Sequence, residues 1–451
     1  MLPIPGVPGL VGGLRSFEDP EALQPLPRRT AQAGLDFAAN RVVVVWENQP
    51  DPVIQQRYMG GGAQADLKRA TDNHPLVDHP FYRRVSHNFA AAYGLSEFSR
   101  VFYRDVNFTA FEVPGITEVS QLDALMQRLL SENPGLVREV TYDFFVEACS
   151  PEQPDSVLLD PAEATTEARR GLRPGLPEAL RRVSAAPNDP MHLNIDGPGG
   201  GTWANWRLGA VDGQAWNSTT GSAQIVVAVV DTGTRYTHED LVDNCIEPAA
   251  EFPYNQPGIL TDVINKDNDP NDDHNHGTWC AGNIGATGNN GLGLSGINQT
   301  VRILPVKVLS AGGSGSETQV AEGMLLADFL GAQVISMSLG GDYPDRIMQL
   351  AAQQLDQDGR LLVVAAGNSN DSAPIYPGAY PYALCVGATT LVNDSNSEDF
   401  SLNAEGEIPT DERFDARATF SNYGPWVDVA APGVRVRSTD RASERTHRES
   451  P

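Results

Sequence analysis

The feature that most constrains this chain is a run that begins at Gln224, is apolar at every position from 225 to 230 and ends in Asp231. A strand that is apolar at every position is typical of the centre of a parallel sheet, because such strands are buried on both faces. Further candidate strands lie at 301–309, 334–337 and 361–365, with helical segments between them. This alternation predicts an α/β fold built on a doubly wound parallel sheet, with helices on both faces.

Composition excludes some classes of function. The chain has 451 residues, and its 58 Asp and Glu outnumber its 32 Lys and Arg, which gives a formal charge of −26. Nucleic-acid binding usually needs a basic footprint, so we expect no nucleic-acid partner. No run of eighteen apolar residues exists, so we expect no membrane span. The 4 cysteines form no CxxC pair, which argues against a zinc site; a pairing of Cys245 with Cys280 stays open.

The chain divides into five segments by composition. Residues 1–38 are rich in proline, glycine and arginine and are expected to form a disordered leader without a clear secretory signal. Residues 39–150 mix candidate strands with an amphipathic helix and predict a small α+β domain. Residues 151–190 have the composition of a linker, residues 191–440 hold the predicted α/β domain, and residues 441–451 are a polar tail.

Within the small α+β domain, the β-branched residues at 41–46 predict a strand. A second strand is predicted at 101–113 and a third at 136–146. Between them, apolar residues at helical spacing predict a helix over 120–132, with Ser120 as its N-cap.

Three polar side chains follow predicted elements at the edge where such sheets carry their sites, beyond the carboxyl ends of the strands. Asp231 ends the first buried strand, His276 begins a short helical segment, and Asn368 follows the strand at 361–365. These groups suit acyl transfer: the carboxylate orients an imidazolium, the imidazole acts as general base and then acid, and the amide stabilises an oxyanion. Each motif alone is also typical of a turn or a helix start. The order Asp231, His276, Asn368, each at one end of a predicted element, is what indicates a catalytic site.

Seven segments of residues 190–440 extend this pattern in a fixed order. They are VVAVVDTGTRYTHEDL (226–241), DDHNHGTWCAG (272–282), GNNGLGLSGIN (288–298), ILPVKVLSAGGSGS (303–316), VISMSLGG (334–341), VVAAGNSN (363–370) and ATFSNYGPWVDVAAPGVRVRST (418–439). Together they resemble the subtilisin-like serine proteases. The resemblance implies a subtilisin-like fold and a secreted serine endopeptidase that is made as a zymogen. Asp231 and His276 then correspond to the catalytic aspartate and histidine, and Asn368 to the oxyanion donor.

The resemblance also implies how substrate is held. Two short segments would sandwich an extended protein or peptide substrate by adding it as a strand, and a third would line the pocket for the residue before the cut. Residues 39–150 resemble a propeptide, whose last strand would enter the cleft as an intramolecular inhibitor; an unrelated accessory domain is the alternative. The implied substrate residues are Gly313, Ser314, Gly315, Ser338, Leu339, Gly340, Ala365, Ala366 and Gly367.

Calcium is a further implication of the family resemblance. Asp240 corresponds to a carboxylate ligand, and Asn290 with the carbonyl groups of Leu292 and Leu294 lies in the matching loop. Hard oxygen donors of this kind suit Ca²⁺. The acidic run at 267–273 is either a second, weak site or an ordinary solvated loop.

The nucleophile of the family is missing from the match. It lies in Gly-Thr-Ser-x-Ala, about twenty residues after Ala-Pro-Gly, but these residues contain no Gly-Thr-Ser, and residues 438–451 are too polar for the expected buried helix. The expectation is a truncated or foreign ending. The alternative is a catalytically dead pseudoprotease that binds extended peptides. The triplet Asp231-Thr-Gly233 also fits an aspartic protease, but no second triplet supplies the paired carboxylate.

Overall fold

The computed structural model describes the chain in separate ranges. The ranges are 37–48, 80–116, 118–149, 158–159, 187–191, 215–216, 218–251, 253–390, 416–434, 436–441 and 447–449. The predicted leader, apart from its last two residues, and most of the predicted linker lie outside the described residues. No helix in these ranges combines the length and the apolar character needed to cross a bilayer.

The N-terminal segment, residues 37–149, forms a four-stranded antiparallel sheet with two helices, followed by a separate strand. The strand order in the sheet is β2-β3-β1-β4. The elements are β1 (Arg41–Trp46), α1 (Pro80–Tyr93), β2 (Ser96–Tyr103), β3 (Val106–Glu112), α2 (Val119–Glu132), β4 (Val137–Thr141) and β5 (Phe145–Ala148).

Local conformation corrects three predictions in this segment. The single strand predicted at 101–113 is wrong, because Arg104 takes a positive φ of 51° and turns the chain into the β2–β3 hairpin. The strand predicted at 136–146 divides into β4 and β5, which join different sheets. Ser120 is not the N-cap of α2. The cap is Glu118, which forms a capping box with Gln121.

The second part of the molecule is built on a seven-stranded sheet of order β14-β13-β12-β10-β7-β8, with β15 also paired to β13. All its strand pairs are parallel except β13–β14, so the predicted α/β class is confirmed. Its strands are β7 (Gly221–Asp231), β8 (Thr300–Lys307), β10 (Val334–Met337), β12 (Leu361–Ala365), β13 (Ala383–Thr390), β14 (Ala416–Arg417) and β15 (Val429–Pro432). The remaining elements are β6 (Leu158–Leu159), α3 (His276–Gly285), β9 (Ser314–Ser316), α4 (Glu317–Phe329), β11 (Leu339–Gly340), α5 (Arg346–Gln357), β16 (Arg437–Thr439) and β17 (His447–Glu449).

The two faces of this sheet are covered unequally. On one face α4 and α5 pack over it, and Ile335 and Leu362 are at most 1% exposed. On the other face α3 covers the β7–β8 end, whereas the alternate residues of β10 and β12 are only partly covered, and Leu361 is 47% exposed. A depression of about 430 Å³ lies on this face, lined by Ile225, Val334, Val363 and their neighbours. Central parallel strands are normally buried on both faces. The described residues bury this face less completely than is usual for such a sheet.

The N-terminal sheet is buried on both faces and so links the two parts. One face packs against α1 and α2 around Trp46, Phe89 and Phe111. The other face, including Val101 and Phe108, joins the core that α4 and α5 form over the large sheet. Both parts of residues 36–451 therefore belong to one compact unit.

Candidate active site

Asp231 and His276 meet at the carboxyl edge of the large sheet. Asp231 is the last residue of β7 and is fully buried, and His276 is the first residue of α3. The Nδ1 atom of His276 lies 2.8 Å from Oδ1 of Asp231. The carboxylate can therefore fix the tautomer and orientation of the ring, which leaves Nε2 to exchange a proton.

Asp272 holds this pair together, and the sequence analysis missed it. Its Oδ1 accepts hydrogen bonds from the Thr232 hydroxyl, at 3.0 Å, and from the Asn275 backbone N–H, while its Oδ2 accepts from the N–H and hydroxyl of Thr278. The Thr232 hydroxyl in turn accepts from the N–H of Gly277. One buried carboxylate thus joins the end of β7 to the start of α3. An aspartate shortly before a helix start was the available signal.

The approach of α3 to β7 depends on backbone conformations that few residues allow. Asn275, which precedes His276, has a φ of 122°, a positive value that residues other than glycine seldom adopt. A Cβ atom on Gly277 would lie 2.0 Å from the carbonyl oxygen of Gly233. Glycine at 277 is therefore needed to bring His276 within reach of Asp231.

The electrostatics of the pair favour the imidazolium. Burial alone lowers the pKa of His276, but the charge of Asp231 and its hydrogen bond outweigh this, and the pKa lies well above 6.5. Burial and the charge of His276 lower the pKa of the neighbouring His274. The sulfur of Cys280 lies 3.9 Å from His276 Nδ1. Asp231, His276 and Cys280 offer ligand atoms within 4.8 Å of one another, but the hydrogen bond between His276 Nδ1 and Asp231 Oδ1 already pairs two of these atoms.

A strand of the N-terminal segment occupies the cleft beside this pair. Strand β5 lies antiparallel between β9 and β11. The N–H of Ala148 donates to the carbonyl oxygen of Gly313 at 2.8 Å, and the N–H of Cys149 donates to that of Ser338 at 2.7 Å. The two segments expected to sandwich an extended peptide, 313–315 and 338–340, are therefore brought together around residues 145–149 of the same chain.

Asn368 contacts the end of this strand. Its Nδ2 donates to the carbonyl oxygen of Cys149 at 3.0 Å, so an amide donor and the Asp231–His276 pair lie at the same cleft. Burial raises the pKa of the Cys149 thiol to about 12, so the thiol stays neutral at ordinary pH. The carbonyl of Cys149 is polarised as the carbonyl of a scissile bond would be.

Asn422 positions the turn that carries Asn368 and was also missed from sequence. Its N–H donates to the carbonyl oxygen of Gly367 at 3.0 Å, and its Oδ1 accepts from the N–H of Ser369 at 2.8 Å. Gly367 has a φ of 95°, and Ala366 before it is buried against Ile375 and Trp426. Ala365, the third residue of the predicted pocket, ends β12.

The predicted calcium ligands lie together around a loop at 288–294. Asp240 is fully buried and accepts hydrogen bonds from Asn290 Nδ2 at 2.9 Å and from the N–H of Leu294 at 2.9 Å. Asp189, not predicted, is also fully buried and accepts from the N–H groups of Asn289, Asn290 and Gly291. Burial raises the pKa of Asp189, and the charge of Asp240 adds to the effect.

Two buried carboxylates of like charge at one loop fit a hard divalent cation. In the present arrangement Asn290 turns its amide nitrogen, rather than its oxygen, toward Asp240. The N–H of Leu292 donates to Asn290 Oδ1 at 2.8 Å. Of the four predicted residues, Asp240 and Asn290 are thus in direct contact, and Leu292 and Leu294 contact them through backbone N–H groups.

The acidic run at 267–273 is anchored by a lysine inside the sheet. Lys307 ends β8 and is 1% exposed, and its Nζ donates to the carbonyl oxygens of Thr232 and Leu309 and to Asp273 Oδ1 at 2.6 Å. The run is thus more than a solvated loop, since Asp273 neutralises a buried cation and Asp272 caps α3. A lysine at a buried strand position was the sequence signal for this anchor.

Residues 438–441 pack beside α3. The hydroxyl of Ser438 donates to the carbonyl oxygen of Trp279 at 2.6 Å, and that of Thr439 donates to the carbonyl oxygen of Thr278 at 2.7 Å. The described part of the polar ending forms strands β16 and β17 rather than a helix. No serine hydroxyl among the described residues hydrogen-bonds to His276. All 4 cysteines, including Cys245 and Cys280, are free thiols, so their open pairing is not formed here.

An Asp–His pair and an amide donor at the carboxyl edge of a parallel sheet, next to a strand-binding cleft, define a protein of the subtilisin-like α/β class. The sequence pattern of the subtilase family, peptidase S8, matches residues 222–450, and the chain belongs to this family. Its fold is similar to that of fervidolysin from Fervidobacterium pennivorans, a keratinolytic enzyme related to subtilisin. That likeness has a TM-score of 0.61 at 19% identity and covers 93% of this chain and 53% of the other.

Two named relatives share about half of the chain. A thermophilic serine proteinase of Bacillus sp. (strain AK1) is 36% identical over 225 residues, which is 50% of this chain and 48% of that protein. Thermitase of Thermoactinomyces vulgaris is 36% identical over 226 residues, which is 50% of this chain and 68% of that protein. The match thus spans about half the length of the first relative and two thirds of the second.

Proposed function

We propose that this protein is a subtilisin-type serine endopeptidase made as a zymogen, and that residues 37–149 are its intramolecular inhibitor. The observation that carries the proposal is the hydrogen bond from Asn368 to the Cys149 carbonyl, with β5 held between β9 and β11. We infer from this contact that the N-terminal segment binds as a substrate would, with the bond after Cys149 as the scissile bond. Backbone pairing supplies affinity in such a complex, and the side chains supply selectivity.

The proposed chemistry is acyl transfer. His276 Nε2 takes the proton of a serine hydroxyl as the oxygen attacks the carbonyl carbon of Cys149, and Asp231 stabilises the resulting imidazolium. The side-chain amide of Asn368 donates to the negative oxygen of the tetrahedral intermediate and stabilises it. The imidazolium then protonates the nitrogen of Ser150 as the peptide bond breaks. A water molecule, deprotonated by His276, releases the acyl group from the serine in the same way.

The serine itself is proposed to come from a segment that is not among these 451 residues. The face of the large sheet that the described residues cover only in part supports this. Ile225 and Leu361 are 41% and 47% exposed there, although Ala228, Val230, Leu362 and Val364 of the same strands, on the opposite face, are at most 1% exposed. An apolar helix seated in the 430 Å³ depression would bury this surface. Burial of apolar area is worth roughly 25 cal/mol per Å², so the helix would also stabilise the sheet.

A second candidate function is peptide binding without hydrolysis. It is favoured by one observation, the lack of a Gly-Thr-Ser motif in these residues. An Asp–His pair without a nucleophile cannot form an acyl-enzyme, although the cleft between β9 and β11 would still hold an extended strand. Under this candidate the N-terminal segment would remain attached.

Two accompanying properties are proposed with the function. Asp240 and Asn290, with the loop carbonyls and Asp189, would hold a structural Ca²⁺ ion, which would cross-link the loop and neutralise the buried carboxylates. Secretion is proposed from the family alone.

The test is to express the protein with all the coding sequence that follows residue 451 in its gene and to read the new N-terminus by mass spectrometry. We expect a product that begins at Ser150, and no such product from His276→Ala. His87→Ala serves as the control, because His87 lies exposed on α1. Unchanged cleavage in His276→Ala would overturn the proposal. A gene without a serine motif, together with an uncleaved chain, would favour the second candidate.

A further inference from the structure

Three carboxyl groups are buried together where the N-terminal segment meets α4 and α5. Asp143 follows β4 and is 0% exposed, Glu317 begins α4 and is 1% exposed, and Asp345 caps α5 and is 1% exposed. None of the three is part of the Asp231–His276 site. Buried carboxylates of like charge repel one another strongly, so the cluster needs protons or cations to be stable.

The three carboxyl groups differ in the hydrogen bonds that they accept. Asp143 accepts from Arg41 at 2.8 Å and from the Thr318 hydroxyl at 2.9 Å, so its charge is compensated. Asp345 Oδ1 accepts from the N–H groups of Ile347 and Met348. Both carboxyl oxygens of Glu317 and Oδ2 of Asp345 receive no hydrogen from any donor among the described residues. Glu317 and Asp345 can hydrogen-bond to each other when one of them carries a proton, and that proton would supply the missing donor.

The N-terminal segment closes this pair off from water. The N–H of Glu317 donates to the carbonyl oxygen of Phe144 at 2.9 Å, and the next residue, Thr318, bonds to Asp143. The ring of Tyr343, close before Asp345, stacks on the ring of Phe144 with centroids 5.3 Å apart. If residues 143–146 left the cleft, the charge of Asp143 would leave with these residues. Water would then reach the carboxyl groups of Glu317 and Asp345.

Among the residues that the structure describes, few other charged or titratable groups surround the pair. The Tyr380 hydroxyl donates to the backbone carbonyl of Asp345 rather than to its carboxyl group, and its pKa is raised by burial. Arg346 is turned toward Glu139 of β4, at 3.7 Å. The groups facing the cluster from the surrounding elements are Arg41, Glu139, Asp143, Arg346 and Tyr380.

We propose that Glu317 and Asp345 form a proton-dependent lock on the N-terminal segment: the docked segment keeps a proton on the pair, and loss of that proton loosens the segment. The lock refines the proposed function, because it makes the inhibitor leave more readily as pH rises. It does not require that the protein be active, since the docking of residues 143–149 can be measured in the uncleaved chain.

The direction of the pH dependence follows from proton linkage. Burial, then the charge of Asp345, raises the pKa of Glu317 well above its usual value in the docked state, and burial raises the pKa of Asp345 to about 7. Exposure to water would return both groups toward ordinary acidic values. Docking therefore takes up protons, so its stability is fully present at acidic pH and is lost as pH rises through the raised pKa values. Each proton released changes the docking equilibrium by up to about tenfold per pH unit.

The test is hydrogen–deuterium exchange of the β5 amides in the full chain between pH 6 and 9, corrected for intrinsic exchange rates. We expect the protection of residues 146–149 in the wild type to fall as pH rises through the raised pKa values, by up to about tenfold per pH unit for each proton released. Glu317→Gln keeps a neutral hydrogen-bond donor at this position. In this variant the protection of residues 146–149 at pH 9 should be at least as high as in the wild type, and it should change less with pH.

The matched control is Glu322→Gln, which removes the same charge five residues further along α4. Glu322 accepts from the Ser99 hydroxyl across the same interface at 2.7 Å, but it does not belong to the cluster. Its pH profile should follow the wild type with a constant offset. A wild-type profile that is flat, or one that is unchanged in Glu317→Gln, would overturn the lock. Failure of the proposed peptidase would instead appear as absence of the Ser150 product, with the exchange result unaffected.

Discussion

The side-chain amide of Asn368 donates to the backbone carbonyl of Cys149, a residue 219 positions earlier in the chain. This contact joins the end of the N-terminal segment to the turn that follows β12. It places the amide donor 3.0 Å from the carbonyl oxygen of Cys149. The contact supports the proposal that Asn368 is the oxyanion donor and that Cys149 precedes the cut.

Replacing Asn368 with alanine should slow hydrolysis far more than it weakens binding. The amide strengthens its hydrogen bond as the carbonyl oxygen becomes negative, so its loss should lower kcat by about 10²–10³ and leave KM nearly unchanged. The measurement is steady-state hydrolysis of a peptide spanning Val146 to Ser150. The enzyme is the serine-containing form, that is, the protein expressed with the coding sequence that follows residue 451 and that carries the proposed nucleophilic serine. A rise in KM with normal kcat would mean that Asn368 only binds the ground state.

Replacing Asp231 with asparagine should change both rate and pH profile. A general base must be neutral, and Asp231 holds the pKa of His276 well above 6.5, so wild-type activity should rise with pH in the neutral-to-alkaline range. The substitution removes the stabilising charge and should move the rise to lower pH, with a rate about 10⁴-fold smaller. The pH dependence of kcat/KM of the serine-containing form tests this. An unmoved profile would exclude the Asp231–His276 coupling.

Replacing Gly277 with alanine should destabilise the fold. The new Cβ would lie 2.0 Å from the Gly233 carbonyl oxygen, a backbone atom that cannot move aside cheaply. Overpacking of this kind costs about 1–3 kcal/mol or more. Urea denaturation of the chain measures the loss. Gly312→Ala is the control, because its Cβ would meet only Ser310 Oγ at 3.7 Å, and equal stabilities for the two variants would contradict the argument.

Calcium should stabilise the protein through Asp240 and Asp189. At a free concentration one hundred times the dissociation constant, a single site adds about 2.7 kcal/mol to the free energy of unfolding. The unfolding temperature of the chain should therefore rise when calcium is added after chelation. The rise should disappear in Asp240→Asn and Asp189→Asn but persist in Asp243→Asn, an exposed neighbour. A calcium response that survives both site variants would place the ion elsewhere.

Local pattern explains why the large sheet could be predicted. The run ending in Asp231 needs no partner to be recognised, because a strand buried on both faces is apolar at every position. The hairpin turn at Arg104 was missed because a positive φ in arginine leaves no compositional signal. Asp189, Asp272 and Asn422 were missed for a different reason. Their roles arise from hydrogen bonds to distant backbone groups.

The sequence by itself determined the α/β class and the order in which polar residues follow the strands. It also indicated Asp231, His276 and Asn368 as the candidate catalytic groups. Tertiary structure alone decided which residues, 145–149, lie between β9 and β11, that Asp273 is the partner of the buried Lys307, and that Glu317 and Asp345 are buried near Asp143. The physical reason is that strand and helix periodicity is set by neighbours along the chain. Burial, proton sharing and cleft occupancy are set by contacts between segments up to hundreds of residues apart.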